Sequence, residues 1–213
     1  MPRTTPLEIP IDMPDRKYPD ARNPAHAAPP RLVGERVHLR AHREDDLPAF
    51  FALYSDAKVM RYWSFPAWTR IDQAHERFSG ALAGHDPHRL LCWAIAEPVE
   101  DRLIGGITLH AIDRVQGRAE IGYALHSSHW GRGYAREAMR LAIAYAFGAL
   151  GLRRLEADID PRNTGSCKLA ERMGFLREGL LRERWQVDGE ISDSAMYGLL
   201  ARDWQAHAAK PPL

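Results

Sequence analysis

Residues 120–139, EIGYALHSSHWGRGYAREAM, pass from an alternating strand pattern through a loop containing Gly131 and Gly133 straight into a helical pattern. A strand feeding a helix through so short a junction belongs to folds in which helices cover a sheet. The glycines let the backbone turn its N–H groups inward with no Cβ in the way. The first helical turn adds unpaired N–H groups and the positive end of the helix dipole. Together they suit a phosphate or diphosphate, and Arg132 and Arg136 add charge. By itself the glycine pair also fits a plain tight connection. The GxGxxG dinucleotide pattern fails because Arg136 stands at its third glycine, and the GxxxxGK[ST] phosphate loop is absent.

The remaining patterns predict one sheet with helices around it. LVGERVHLRA alternates Val37, Leu39 and Ala41 against Arg36, His38 and Arg40, a half-buried strand. Asp46 is placed to cap a helix to about Tyr54, with Pro48 in its first turn. Thr69 and Asp72 resemble a capping box opening a second helix to about Ala83, with Ile71, Ala74, Phe78 and Leu82 on one face. LLCWAIAE, LIGGITLHAI and AEIGYALH read as an antiparallel meander. A long helix from about Arg136 ends near Leu150, with Gly151 suited to a left-handed cap. A strand through Leu155, Ala157 and Ile159 follows, then a short helix to Met173, and two strands meeting at the Asp188-Gly189 turn.

The fold class is therefore mixed α/β in a single domain, residues 31–205. A proline-rich tail, flexible or docking as an arm, precedes it at 1–30, and a short tail follows at 206–213. Of the 213 residues, 29 are Lys or Arg and 28 Asp or Glu, so no global field draws the chain to nucleic acid or an anionic membrane. Two separated cysteines, Cys92 and Cys167, form no metal or disulfide framework. No stretch approaches the roughly 18 apolar residues of a membrane span, and no secretory signal pattern opens the chain, so the cytoplasm is the expected location.

Trp130-Gly131-Arg132-Gly133-Tyr134-Ala135 resembles the diphosphate loop of GNAT acetyltransferases, [QR]xxGx[GA], with Trp130 in place of Gln or Arg as in the RimJ/RimL group of ribosomal-protein N-terminal acetyltransferases. Asn163, Ser166, Leu169 and the Gly174-Phe175 pair match the family's next motif. The resemblance covers about residues 31–205 and implies a mostly antiparallel, splayed sheet with acetyl-CoA as co-substrate and no metal. It implies that backbone groups of Tyr123, Ala124 and Leu125 pair with the pantetheine arm. Main-chain amides from Trp130 and Gly131 through Arg132, Gly133, Tyr134 and Ala135 to Arg136 would hold the diphosphate. Asn163 and Ser166 would touch the pantetheine.

The expected reaction is direct acetyl transfer to an amine, without the acyl-enzyme that Cys167 would form. Neutralising a lysine amine at pH 7 costs about 4 to 5 kcal/mol, whereas a peptide α-amine needs only about 1, so the α-amine asks less of a base. Glu120, on the strand bordering the gap, is the candidate base, directly or through a water, with His110 and His126 as alternatives. Many relatives place a tyrosine acid where this chain has Ala170, which leaves Ser166 or a water to protonate the sulfur. Trp63, Phe65 and Trp68 in the aromatic loop, with Asp193 and Tyr197 near the end, are the candidate acceptor-binding residues. The acceptor is expected to be a peptide or protein α-amine; a small-molecule amine and a non-catalytic acetyl-CoA-binding module are the alternatives. A homodimer is a further expectation.

Overall fold

The computed structural model describes residues 28–83 and 89–208. Most of the expected N-terminal tail and the last five residues lie outside that range. Among the described residues eight strands form one sheet in the order β1-β2-β3-β4-β5-β6-β8-β7. They are β1 (Leu32–Val33), β2 (His38–Arg40), β3 (Leu91–Ala96), β4 (Leu103–Asp113), β5 (Arg118–Leu125), β6 (Arg154–Ile159), β7 (Leu176–Val187) and β8 (Glu190–Leu200). Every neighbouring pair is antiparallel except β5 and β6. Helices α1 (Leu47–Ser55), α2 (Ala57–Met60) and α3 (Asp72–Ala83) precede the meander. Then α4 (Tyr134–Gly148) links β5 to β6, α5 (Thr164–Arg172) links β6 to β7, and α6 (Ala201–Ala208) closes the described chain. Among the described residues no helix is long and apolar enough to cross a membrane.

The main core lies between the sheet and α4. Ala138, Ala142 and Ala146 recur every four residues with Met139 and Ile143 beside them, and all five are buried. Small side chains on that stripe let the helix approach the strands closely. Gly151 takes the left-handed φ of +64° that the sequence predicts, but α4 already ends at Gly148 with Ala149 as its C-cap, two residues short of the predicted Leu150. On the opposite side, α1 and α3 bury Phe50, Trp68, Ala74 and Phe78 in a second cluster.

Several local expectations change. The predicted first strand is two short strands folded back at Gly34, whose N–H donates to the Val37 carbonyl at 3.0 Å, with Leu32 opposite Leu39. Thr69 finds its partner in the Gln73 side chain, which accepts from the Thr69 and Arg70 amides, and not in Asp72. Ile71 and Leu82 are exposed, so the buried face of α3 is narrower than predicted. The sequence pattern does not predict α2 or α6, and α6 takes in the first residues of the expected C-terminal tail.

Arg40, expected to face solvent, is only 4% exposed. Its guanidinium has five donor hydrogens, and five acceptor contacts surround it. Asp46 accepts from both terminal nitrogens at 2.6 and 2.8 Å, the Asp101 carboxylate and carbonyl accept at 3.2 and 2.7 Å, and the Ala41 carbonyl accepts at 3.0 Å. Asp46 therefore does not cap α1 with its side chain; it also accepts from the Arg43 amide at 2.8 Å. The cluster ties β2, the start of α1 and the β3–β4 turn into one unit. Burial by itself would raise the Asp46 pKa, but the hydrogen bonds from Arg40 and Arg43 and the Arg40 charge prevail and leave it lowered.

Removing one partner of a buried ion pair strands the other charge, so Asp46→Ala is expected to lose about 3–5 kcal/mol of stability in urea unfolding. Because the folded carboxylate titrates below its unfolded value, the pair's contribution is complete above the unfolded pKa and is lost as pH falls through the folded one. Wild type should therefore lose stability more steeply in acid than Asp46→Asn.

Candidate active site

The site begins where two strands part. The parallel ladder between β5 and β6 holds for three positions, Arg118 with Arg154, Ala119 with Leu155 and Glu120 with Glu156. Beyond Glu120, β5 continues to Leu125 bonded to β4 alone, and β6 continues to Ile159 bonded to β8 alone. One edge of β5 from Ile121 onward thus presents main-chain donors and acceptors to an open gap. A cavity of about 920 Å³ occupies it, lined on one side by Tyr123, Ala124 and Leu125 and on the other by Asn163, Ser166 and Leu169.

The glycine loop stands at the mouth of that cavity. Gly131 and Gly133 have φ of +76° and +81°, the left-handed region that a Cβ disfavours. Gly133 is the N-cap of α4 and supplies no side-chain cap, and the first helical bond runs from the Glu137 amide to its carbonyl. The amides of Tyr134, Ala135 and Arg136 stand ahead of the helix ladder, and these three residues line the cavity with Gly131 and Gly133. Trp130 donates its indole N–H to the Leu125 carbonyl at 2.7 Å, so it braces the loop against the end of β5. The Arg132 carbonyl accepts from Arg36 at 3.2 Å, and Arg132 is not among the cavity-lining residues. Glu137, in the first turn of α4, accepts from the amides of Glu35 and Arg36 and fastens the β1–β2 turn to the helix start.

Across the gap, Asn163 caps α5 by accepting from the Ser166 amide at 3.1 Å, leaving its side-chain N–H₂ directed elsewhere. The Tyr123 phenol is pushed up to about 12 by burial, with Ser166 lowering it in part. His129 lines the cavity between β5 and the loop, and burial holds its pKa below the ordinary value against the pull of Glu97.

The proposed acceptor residues divide. Trp63 lines the cavity. Trp68 is instead 7% exposed and packs on Phe50 at 5.8 Å, and Phe65 packs among Tyr54, Trp63 and Trp68 under Arg77. Tyr197 is buried, and its hydroxyl donates to Glu171 at 3.1 Å. Asp193 accepts from the Glu183 amide at 2.9 Å, inside a β7–β8 bulge where Glu183 has φ +52°. Phe65, Trp68, Asp193 and Tyr197 thus serve packing and the sheet, and none lines the cavity. Tyr62 and Arg162, which sequence reasoning did not select, do line it. Tyr62 had a signal in the aromatic loop. Arg162 had none, since its position depends on Asp160 and Glu190, which accept from it at 2.6 and 2.5 Å.

Glu120 occupies the last paired position of β5, at the closed end of the gap. Its side chain is about one third exposed, lies 3.7 Å from the His110 ring, and is not among the cavity-lining residues. The His110 Nδ1 meets the Glu120 carbonyl at 3.0 Å, and His126 Nδ1 meets Ser128 Oγ at 2.8 Å; neither histidine lines the cavity.

A sheet opened between parallel strands, with an amide-rich helix start at its mouth, is a frame for a long ligand that carries phosphate at one end. Residues 36–176 match the family model described as an acetyltransferase (GNAT) domain. An uncharacterized N-acetyltransferase, p20 of Bacillus licheniformis, is 35% identical over 81% of this chain and 97% of its own length. The spermidine N(1)-acetyltransferase of Vibrio cholerae is 26% identical over 76% of this chain and 91% of its own. The structure of Mycobacterium smegmatis RimJ in complex with CoA-disulfide superposes with a TM-score of 0.72 at 26% identity, covering 82% of this chain and 88% of that one. The chain belongs to the GNAT acetyltransferase family. It is an acyltransferase of the N-acetyltransferase type, acting on an amine.

Gly133→Ala is expected to cost about 1 kcal/mol of stability for the left-handed backbone. A helix start shifted out of that conformation no longer aims its amides together. Calorimetry should therefore show at least a roughly tenfold weaker CoA affinity, a loss larger than the stability change accounts for.

Proposed function

We propose that this enzyme transfers the acetyl group of acetyl-CoA to the α-amine of a peptide or protein. The diphosphate would rest on the Gly131–Arg136 amides, and the pantetheine would lie along the free edge of Tyr123–Leu125 with Asn163 across from it. The fit rests on the unpaired strand edge, the two left-handed glycines and the helix start without a side-chain cap.

The observation that carries the acceptor reading is the charge of the cavity wall. Lys58, Arg136 and Arg172 line it together with Arg61 and Arg162, which are paired with Glu190 and Asp160, and no carboxylate lines it among the described residues. A polyamine would enter against charges of its own sign, whereas an α-amine brings a single charge that is inexpensive to remove. The adjoining pocket of about 200 Å³ does include Asp160 and Glu190, but arginines already hold both. Tyr62 and Trp63 supply flat apolar walls at the junction of the two spaces, suited to the first residues of a peptide.

Glu120 is proposed as the base, acting through a water, since it stands at the closed end of the gap and outside the cavity wall. By strand alternation it shares a face of β5 with Ala124, which packs against α1 and α2, the side from which the aromatic loop comes.

An acetyl-CoA turnover screen over peptides and small amines tests the reading. At least one peptide should exceed spermidine in kcat/KM by about tenfold or more, and Glu120→Gln should lower kcat on that peptide by about 100-fold. Preference for spermidine over every peptide would overturn the acceptor assignment, and near-full activity of Glu120→Gln would remove the base.

A further inference from the structure

The Tyr123 hydroxyl is costly to the fold. Ala119, Ile121, Tyr123 and Leu125 form the alternating set of β5 that packs on the main core, and the ring of Tyr123 fits there as a phenylalanine ring would. Its oxygen is buried, with no hydrogen-bond partner among the described residues. Ser166 stands close enough to lower the phenol pKa, but outside hydrogen-bonding geometry. A buried hydroxyl without a partner lowers stability relative to an apolar group of the same shape. Its position accounts for its retention, because Tyr123 lies past the point where β5 and β6 separate and lines the cavity opposite the first turn of α5.

A donor left without an acceptor among the described residues is completed by an acceptor on a ligand. Aminolysis of a thioester creates one. The amine nitrogen bonds to the carbonyl carbon, the C–S bond breaks, and the bonding pair moves onto sulfur. We propose that the Tyr123 hydroxyl is the catalytic hydrogen-bond donor to the departing sulfur, with the Ser166 hydroxyl beside it. This rests on the reading of the gap as the acetyl-CoA site. The phenol, near 12, keeps its proton against a thiolate whose ordinary value is about 8.5. It therefore stabilises the charge by hydrogen bonding. The amine's proton passes to water or Glu120, and the thiolate takes its own from water as it leaves. Tyr123 and Glu120 belong to opposite alternating sets of β5, so the incoming nitrogen and the outgoing sulfur are served from different faces. Ala170, buried on α5, offers no hydroxyl for the task.

The test is Tyr123→Phe in the full chain with three readouts: steady-state kinetics on the best acceptor, calorimetric CoA affinity and thermal unfolding. Loss of one such donor should lower kcat about 100-fold. The CoA Kd should stay within about threefold, and Tm should equal or exceed wild type because a stranded hydroxyl is gone. A kcat within about threefold of wild type would overturn the proposal. So would a Kd that weakens as much as kcat falls, which makes the hydroxyl a holding group, or a Tm several degrees lower, which means the hydroxyl has a partner. Should that variant not fold, 3-fluorotyrosine at position 123 keeps the shape and lowers the phenol pKa. An alkaline kcat limb that moves down with it supports the role, and an unmoved limb overturns it. Wild type that fails to bind CoA sinks the reading of the gap itself, whereas an active wild type with an equally active Tyr123→Phe sinks only the role of Tyr123.

Discussion

Everything in the site follows from the point at which β5 and β6 stop sharing hydrogen bonds. After Glu120 and Glu156 the two strands keep their outer partners and lose each other. Unpaired backbone groups inside a domain are expensive, and a fold tolerates a row of them only where something else can complete them. The same divergence gives the cavity its length, places Tyr123 in its wall and brings α5 opposite the free edge. A ladder closed to Leu125 would leave the glycine loop as an ordinary connection.

The rest of the architecture holds that opening in place. Trp130 anchors the loop to the last residue of β5, and Glu137 fastens the N-terminal hairpin to the start of α4. Together they restrain the backbone on both sides of the two left-handed glycines. On the other face, the Arg40 cluster joins β2, α1 and the β3–β4 turn, and α1 and α2 pack on Ala124. The glycine loop and the face covered by α1 and α2 are therefore braced by separate sets of contacts on one strand.

The aromatic loop shows where reading residues in order fails. Trp63, Phe65 and Trp68 are alike in sequence, yet Trp68 fills the second core cluster, Phe65 bridges two clusters and Trp63 reaches the cavity. Their burial is set by α1 and α3, which meet the loop only in three dimensions. Tyr197 and Asp193 were plausible for their chemistry, but a buried hydroxyl and a bulged strand each needed an internal partner and found one in Glu171 and in the Glu183 amide. Arg40 read as an outward strand residue because alternation carries no knowledge of Asp46 and Asp101.

The sequence by itself determined the order of the principal strands and helices, the antiparallel meander, the glycine loop at Gly131 and Gly133, the left-handed residue at Gly151, and the family to which the loop belongs. These depend on local periodicity and on backbone conformations that particular residues permit, so they can be read within a window of a few residues. Tertiary structure alone decided that β5 parts from β6 after three paired positions and that the Tyr123 hydroxyl has no partner among the described residues. It also decided which rings face the cavity. Each of these depends on which groups from distant segments arrive to satisfy one another, and no local pattern carries that information.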